Sequence, residues 1–424
     1  MSFIYHSEIH HIHKKDSRWE EIDNICFLSK NLYNCALYEI RQFYFNNNTF
    51  KTHGGYITNK TDLYHILKNS VDFRNGLATR PNKSVFIQVE KIFKSYFNAI
   101  KEYDKNKSKF NGKPKLPKYK DKISGRNIIT YTKEALSFKK KGYIRLSMTD
   151  IYVKTNKQKD EVVEIRLVPT NLNFYQLEII YKKEIKELNL ENKKYIGIDL
   201  GVNNLLSLSS NDSKLGSIVI NGRPIKQLNS SYNKLIAKYK TLLPNEIYTS
   251  KRIKHITYRR NNKIKDYFHK TAKMLVKYFI DNGISTVVIG KNNGWKQEVN
   301  LGKRNNQNFT YIPFNKIIFY LKYRCELEGI EFIEREESYT SKCSFLDMEP
   351  IKKHNTYLGK RIKRGLFESS NKIQINADIN AALNILRKEI GNSEFINSLN
   401  SICDFAVSPV KMTTPVSGKL LITK

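Results

Sequence analysis

The chain of 424 residues contains few cysteines and lacks long apolar runs, and both shortages narrow what it can be. Its five cysteines include no CxxC pair, which excludes a disulfide framework and argues against a four-cysteine zinc site. No uninterrupted apolar run reaches the roughly 18 residues of a membrane span, and the first residues lack the apolar core of a signal peptide. We therefore expect a soluble, cytoplasmic protein without a membrane partner.

Acidic side chains are also scarce. Lysine and arginine total 74 against 40 aspartates and glutamates, so the net charge is +34 and the isoelectric point is near 9.7. AT-rich coding would explain an abundance of lysine, but it does not explain the shortage of acids. Such an excess destabilises a compact protein by self-repulsion unless a polyanion binds it, and nucleic acid is the usual polyanion.

The hydrophobic pattern changes character along the chain. Helical periodicity dominates residues 16–105, where the second long helix is predicted to open near Pro81. Residues 105–122 are rich in lysine, proline and glycine, which predicts an extended basic segment; it is either a solvated linker or a strap along a nucleic-acid backbone. Short alternating runs over 126–188 predict a small antiparallel barrel or sandwich, and strands and helices alternate after 194.

Two aspartates stand out in the last part of the chain. Asp199 ends the apolar run "YIGIDLG", and Asp378 begins the helical pattern "NADINAALNI". Each alone could be an ordinary turn or helix-capping residue. Together, on a strand and at a helix start, they could converge on two divalent cations about 4 Å apart for in-line phosphodiester hydrolysis. Magnesium suits such a site because it prefers oxygen ligands and needs few carboxylates.

Several segments, taken in order, resemble the TnpB family of transposon-encoded RNA-guided DNA endonucleases, relatives of the type V CRISPR effectors. They are "RWEEIDNICFLSKNLYNCALYEIRQ", "FNGKPKLPKYKDK", "GIDLGVNNLLSLSSN", "TVVIGKNNGWKQEVNLGKRNNQNF", "ESYTSK" and "NADINAALNI". The resemblance implies a multidomain α+β and α/β protein with an RNase H-like (RuvC) nuclease domain, a helical recognition module and a small β-barrel wedge domain. It also implies a guide RNA from the transposon end, a double-stranded target DNA with a short flanking motif, and action at the bacterial nucleoid.

The resemblance divides the chain into seven segments. We expect a first wedge strand at 1–15, the helical module at 16–105, the wedge barrel at 106–190, the first nuclease part at 191–338, a degenerate zinc-ribbon-like insertion at 339–376, the last nuclease part at 377–395 and a mobile tail at 396–424.

The chain departs from the family pattern at the second catalytic acid. The family's glutamate usually ends the strand that here reads "TVVIG", where Gly290 and Lys291 stand instead. Glu336 and Glu337 end the next predicted strand, and alternation lets only one of them face the site. We favour Glu337, with Glu336 as the alternative, as the third ligand beside Asp199 and Asp378. The expected cofactor is Mg²⁺, as two ions, or Mn²⁺.

The zinc ribbon also departs from the pattern. "TSKCSFLD" keeps one cysteine and "RIKRGLFESSNK" keeps none, so no zinc is expected. Basic and aromatic residues in two segments and one loop are candidates for nucleic-acid contact: Lys113, Lys115, Lys118, Tyr119, Lys120, Arg259, Arg260, Lys263, Lys270 and Lys296. Two other functions stay open, a nuclease-inactive RNA-guided DNA-binding repressor and an RNase H-like transposase.

Overall fold

The computed structural model describes residues 3–47, 51–52, 55–56, 59–186, 194–292, 311–396, 406, 408–413 and 421–423. The chain divides into two compact units, one from Phe3 to Lys183 and the other from Glu184 onward. The first unit therefore contains most of three segments that the sequence analysis predicted separately: the first wedge strand, the helical module and the wedge barrel. Among the helices described, none is both long and apolar enough to cross a membrane.

The first unit contains three helices and nine strands in its described part. They are β1 (Phe3–Ile12), α1 (Trp19–Asn47), β2 (Lys51–Thr52), β3 (Gly55–Tyr56), α2 (Lys60–Leu67), α3 (Thr79–Lys105), β4 (Ile129–Thr132), β5 (Leu136–Ser137), β6 (Tyr143–Leu146), β7 (Tyr152–Lys154), β8 (Val162–Pro169) and β9 (Tyr175–Glu184). The helices pack on one another around Leu37, Leu63 and Phe86, as the helical pattern predicts.

The longer strands of this unit form two sheets that share a core. The order of one is β1–β9–β8–β4 and that of the other is β5–β6–β7. Ile165 of the first sheet, Ile144 of the second and Ile22 of α1 lie in the same hydrophobic cluster. A two-sheet arrangement buries alternate side chains in the way the sequence pattern indicates; closure into a barrel stays a prediction.

The lysine-rich segment before β4 lies against α1. The amide of Asn34 exchanges two hydrogen bonds with the backbone of Lys120, each 2.9 Å long. The buried Lys30 ammonium donates to the carbonyl of Lys122 at 2.6 Å. The guanidinium of Arg41 stacks over the Tyr119 ring at 4.5 Å. Between Pro117 and Lys122, the backbone of the segment therefore exchanges hydrogen bonds with side chains of α1.

The second unit contains ten strands and five helices in its described part. They are β10 (Tyr195–Leu200), β11 (Asn204–Ser210), β12 (Ile218–Asn221), α4 (Arg223–Lys240), α5 (Lys251–Asp281), β13 (Thr286–Gly290), α6 (Phe314–Leu327), β14 (Glu331–Arg335), β15 (Lys360–Lys363), β16 (Leu366–Glu368), β17 (Gln374–Asn376), α7 (Ala377–Ile390), α8 (Ser393–Ile396), β18 (Val410–Thr413) and β19 (Leu421–Thr423).

A seven-stranded mixed sheet organises this unit. Its order is β14–β13–β10–β11–β12–β18–β19. Strands β10, β13 and β14 run parallel, whereas β10, β11 and β12 pair antiparallel in succession. Residues 410–413, in the segment predicted to be a mobile tail, pair in parallel with β12 instead. Backbone hydrogen bonding to an edge strand accounts for this difference, since the segment has little side-chain periodicity to predict it.

Alternation along the central strand directs its side chains to opposite faces. Ile196 and Ile198 pack into the cluster formed with α5 and α6. Gly197 faces α7 instead: a Cβ atom there would overlap the carbonyl oxygen of Ala382 and would lie 2.8 Å from Leu386 Cβ. Glycine thus permits close packing of α7 on the sheet. Because side chains two positions apart share a face, Asp199 is directed towards α7.

Candidate active site

Three carboxylates come from elements that meet at one edge of the seven-stranded sheet. Asp199 lies near the end of β10, Glu337 follows the end of β14 by two residues, and Asp378 lies in the first turn of α7. The two strands are parallel to β13 between them, so their carboxyl ends lie at the same edge. The fold therefore brings together acids that are far apart in sequence.

Asp378 is held by three neighbours. The Asn376 side chain caps α7 by accepting the Asp378 N–H at 3.0 Å. Asn204 donates its amide to Oδ2 of Asp378 at 2.8 Å, and Arg361 donates a guanidinium N–H to Oδ1 at 3.2 Å. A carboxylate in the first helical turn is also favoured by the helix dipole. These contacts orient the side chain before any ligand binds.

Glu337 is fixed by Asn292, which follows β13. Asn292 accepts the Glu337 N–H at 3.0 Å and its amide lies 3.4 Å from Oε1. The other oxygen, Oε2, is buried and has no hydrogen-bond partner among the described residues. Burial raises the pKa of Glu337 to about 7, with a further contribution from the charge of Glu336. A buried acceptor without a donor is a group that a cation could satisfy.

Glycine at position 290 leaves the space that Glu337 occupies. A Cβ atom at Gly290 would lie 2.8 Å from Glu337 Oε2, 3.2 Å from Glu337 Cβ and 2.5 Å from Ile385 Cδ1. The neighbouring Lys291 forms an ion pair with Glu334. The position of the family's usual acid is therefore small because a side chain from the next strand fills the volume in front of it.

Glu336 has a different environment. It is exposed, and its carboxylate pairs with Lys388 at 3.1 Å. The Lys388 ammonium also donates to the carbonyl oxygens of Glu336 and Ser338. Of the two adjacent glutamates, Glu337 is thus the one that lies with Asp199 and Asp378.

The electrostatics of Asp199 show how closely the acids interact. Burial raises the pKa of Asp199 well above its usual range, the charges of Glu337 and Asp378 raise it further, and Arg361 lowers it. Within the described part of the chain, no group of three or more His, Cys, Asp or Glu side chains is arranged to hold a metal ion jointly. The donor chemistry nevertheless suits a hard divalent cation, because carboxylates predominate and one oxygen of Glu337 is unsatisfied.

Sequence reasoning missed the residues that position the acids. Arg361 comes from β15, Asn204 from the start of β11 and Asn292 from the segment after β13. Only Asn204 had a local signal, since it closes the turn that follows Asp199. Ser207 pairs directly with Asp199 across the two strands, and its buried hydroxyl has no partner among the described residues.

The predicted nucleic-acid contacts occupy different surroundings. Arg260 is partly buried and donates to Asn229 and to the Tyr311 carbonyl, and Lys270 pairs with Asp266 at 2.7 Å. Lys296 lies outside the described residues. The remaining candidates are exposed, except for the partly buried Lys120: Lys113, Lys115, Lys118, Tyr119, Arg259 and Lys263. None of these roles is settled by geometry, and they stay predictions.

The insertion between β14 and α7 is held by a buried carboxylate. Glu349 is 2% exposed, and its side chain accepts the N–H groups of Ser344 at 2.7 Å and Leu358 at 2.9 Å. The thiol of Cys343 is directed at the carbonyls of Pro350 and Lys352, at 3.5 and 3.6 Å. Glu349 thus joins two loops by hydrogen bonds, within the segment that the sequence analysis describes as a degenerate zinc-ribbon-like insertion.

The insertion is anchored to the helix that carries Asp378. Asn380 donates to the carbonyl of Cys343 at 2.9 Å, and its oxygen accepts the Phe345 N–H at 2.9 Å. One turn later, Asn384 donates to the carbonyls of Thr340 and Cys343. Arg361 therefore reaches Asp378 from a segment that is itself attached to α7.

Comparison with known proteins gives two family matches. Residues 178–296 match the family OrfB_IS605, described as a probable transposase, and residues 314–385 match the family described as Cas12f1-like, TNB domain. The second match spans α6, β14, the insertion and the start of α7. Both matched regions include residues of the candidate site.

Two curated proteins are similar to the chain. It is 29% identical over 241 residues to the CRISPR-associated endodeoxyribonuclease Cas12f2 of a Micrarchaeota archaeon, a match that covers 53% of this chain and 42% of that protein. It is 24% identical over 243 residues to the TnpB-like protein ORF457 of Acidianus two-tailed virus, covering 54% and 50%. The chain spans about half the length of these curated relatives.

A solved structure has a similar fold. The protein in the cryo-EM structure of the Cas12f1–sgRNA–target DNA complex superposes with a TM-score of 0.53 at 15% identity, over 87% of this chain and 83% of that one. At this identity the likeness concerns the fold alone.

We expect Asp199→Asn to stabilise the metal-free protein at neutral pH by roughly 1–3 kcal/mol, the usual order of the desolvation penalty of a buried polar group. The substitution removes a charge that burial and two neighbouring carboxylates disfavour. Asp212→Asn is the matched control, because a hydrogen bond from Lys194 lowers the pKa of Asp212 and its loss should destabilise. Thermal melts in EDTA compare the two, and equal shifts would contradict the charge argument.

We expect Glu349→Ala to lower the free energy of unfolding by about 2 kcal/mol, because the buried N–H of Ser344 and the partly buried N–H of Leu358 lose a charged acceptor. Glu368→Ala serves as a control, since the Glu368 ion pair with Lys360 is long at 3.9 Å and solvent-exposed on the lysine side. Melts in EDTA and in added zinc should coincide for the unsubstituted protein. A large zinc-dependent stabilisation would argue against the carboxylate as the main link between the loops.

Proposed function

We propose that the chain is a TnpB-type, RNA-guided DNA endonuclease that cuts by RuvC-type phosphodiester hydrolysis. The observation that carries the proposal is the convergence of Asp199, Glu337 and Asp378 at one edge of the sheet. The chain retains an acid for each expected role although the usual glutamate position is Gly290. The whole-protein activity is a proposal, since the chain covers about half of its curated relatives.

We assign the second unit an RNase H-like fold. Three successive antiparallel strands, β12, β11 and β10, continue into the parallel strands β13 and β14. The first acid lies on the central strand of this series, and the last acid lies on a helix packed against that strand at Gly197. This arrangement supports the assignment independently of the motifs.

Asp199, Glu337 and Asp378 would hold the divalent cations, Mg²⁺ or Mn²⁺. When bound, such ions would activate the attacking water and neutralise charge on the scissile phosphate. The side chain of Asn292 accepts the backbone N–H of Glu337 and so fixes that residue's position. The side-chain amide of Asn204 donates to the Asp378 carboxylate and orients it. Arg361 places a positive charge beside the acids and reduces their mutual repulsion.

The proposed partners are a guide RNA from the transposon end and a double-stranded DNA target with a short flanking motif. The net charge of +34 provides the non-specific attraction for both polyanions. Base pairing would supply most of the sequence recognition, while the protein would recognise backbone shape and the flanking motif. The printed title of the similar structure names an sgRNA and target DNA for that protein.

A nuclease-inactive, RNA-guided DNA-binding repressor is the second candidate. Gly290 at the usual acid position favours it, whereas the position of Glu337 in front of Gly290 opposes it. The description of the OrfB_IS605 family as a probable transposase keeps strand transfer in view as a third. Isolating RNA from the purified protein separates a guided protein from an unguided transposase.

We expect Asp199→Asn, Glu337→Gln and Asp378→Asn each to reduce DNA cleavage by more than about a hundredfold, since even outer residues of metal sites contribute ten- to a hundredfold. Glu336→Gln should cut at nearly the unsubstituted rate because Glu336 pairs with Lys388 instead. The assay uses the co-purified RNA complex on a target library, with and without magnesium. RNA binding should persist in all four variants.

Cutting that persists in EDTA, or full activity of Glu337→Gln, would contradict the proposal. Loss of activity in Glu336→Gln with retention in Glu337→Gln would move the third acid to the neighbouring residue. Absence of cutting by every protein, with RNA still bound, would favour the repressor.

We expect Gly290→Ala to impair cutting at least tenfold because its methyl group would displace Glu337 Oε2, at 2.8 Å, and Ile385 Cδ1, at 2.5 Å. Combining it with Ile385→Val removes the Cδ1 atom and should restore much of the thermal stability. Cleavage should stay low in the double variant, since Glu337 is still displaced. Recovery of both properties together would mean that position 290 affects packing only.

A further inference from the structure

We propose that a cleft in the first unit binds an unpaired nucleotide. The inference rests on the proposed function for its source of nucleic acid, but it concerns a site far from the carboxylates in sequence. We name it the Trp19 cleft. It has a volume of about 560 Å³, and its lining includes Lys14, Trp19, Asp23, Lys120, Arg126 and Tyr175.

One wall of the Trp19 cleft is aromatic. The rings of Trp19 and Tyr175 lie 6.1 Å apart at 57°, and the Lys14 ammonium lies 5.4 Å from the centre of the Trp19 ring. The indole Nε1 of Trp19 is buried and has no acceptor among the described residues. Such orphaned donors are rare in folded proteins and often mark a missing partner. A stacking surface with an adjacent cation suits a heterocyclic base.

The charge of the Trp19 cleft is positive. Asp23 is its one acidic lining residue, and Arg126 neutralises it through bonds of 2.9 and 2.7 Å. The Tyr175 hydroxyl also donates to Asp23. Neither Lys14 nor Lys120 forms an ion pair within the described part of the chain, although the Lys120 ammonium lies 5.2 Å from the centre of the Tyr33 ring. Burial lowers the pKa of Lys120, which an anion beside it would oppose.

The walls of the Trp19 cleft are fixed before a ligand binds. The backbone of Lys120 is held by Asn34 through two bonds of 2.9 Å. The turn that follows is closed by Asp121, whose carboxylate accepts the N–H groups of Ile123 and Ser124. On the opposite side, the Thr170 N–H donates to the Phe174 carbonyl across the β8–β9 turn. A preorganised cleft loses less entropy when it binds.

These properties together select the ligand class. The two lysines, which have no carboxylate partner, favour an anion, and the tryptophan favours an aromatic face. The exposed amides of Asn171 and Asn173 can contact a base edge. A nucleotide combines all three features, and its base faces become available only when it is unstacked from a helix. The volume falls within the few hundred to one thousand Å³ of small-molecule sites. The nucleotide could belong to RNA or to DNA.

The chain contains two tryptophans, which permits a direct test. In a Trp295→Phe background, Trp19 is the single tryptophan, and its fluorescence reports on the cleft. Titrations use a single-stranded 12-mer of uridine, a single-stranded 12-mer of thymidine, a 12-base-pair DNA duplex and inorganic phosphate. We expect quenching by one single strand at least, and none by the duplex or phosphate. The stronger of the two single strands identifies RNA or DNA as the source.

Two substitutions test the mechanism. Trp19→Leu should weaken binding of the preferred strand about five- to a hundredfold, as measured by anisotropy of a labelled 12-mer, because it loses base stacking. Lys14→Ala should reduce the slope of log affinity against log salt by about 1. Lys15→Ala is the matched control, since Lys15 is adjacent and exposed but does not line the cleft. The Lys15→Ala variant should show the same Trp19 quenching amplitude as the unsubstituted protein.

The inference is overturned if neither strand quenches Trp19, if phosphate quenches equally, or if Lys14→Ala and Lys15→Ala behave alike. These results would not bear on guide-RNA binding or on DNA cleavage by the RNA complex, so the proposed function would remain intact. Conversely, quenching that persists in a protein without RNA-dependent cleavage would sustain the nucleotide site and reject the proposed function.

Discussion

The contact between β10 and α7 at Gly197 is the constraint on which the candidate site depends. Because residue 197 has no side chain, the backbone of Ala382 approaches the sheet closely, and the start of α7 comes near the end of β10. That approach forces two negatively charged side chains, Asp199 and Asp378, into one region. The packing favours the contact while the electrostatics oppose it, so stability and function conflict at this position.

Glu337, the proposed third acid, shows how one constraint can be met from a different backbone position. Parallel strands β13 and β14 end at the same edge, so a side chain after β14 can occupy the space that a longer side chain at the end of β13 would need. Gly290 and Glu337 are therefore a coupled pair: the absence of one side chain is what admits the other. Moving an acid from the end of β13 to the segment after β14 therefore requires two changes at once, a glycine at 290 and a glutamate at 337. It also requires Asn292, which accepts the Glu337 N–H and holds that segment in place.

The sequence allowed prediction of what depends on local pattern. An aspartate ending an apolar strand and another opening a helix identified Asp199 and Asp378, and alternation reduced the two glutamates to a choice. The choice itself depends on Lys388 and Asn292, which are distant in the chain and have no local pattern. Arg361 and the Trp19 cleft escaped prediction for the same reason, since their surroundings assemble from separate segments. Tyr119 was predicted to contact nucleic acid, and Arg41 occupies one face of its ring.

The insertion illustrates how one buried carboxylate can join two loops through hydrogen bonds. A zinc ion links two loops by bonding four side chains, and Glu349 links two loops by accepting two backbone N–H groups. A carboxylate can do this only where burial keeps water from competing, and Glu349 is almost fully buried. Asn380 and Asn384 add contacts from α7, so the insertion stays attached to the helix that carries Asp378. Arg361 is therefore presented to that aspartate by a segment whose loops are joined by hydrogen bonds and which is itself anchored to α7.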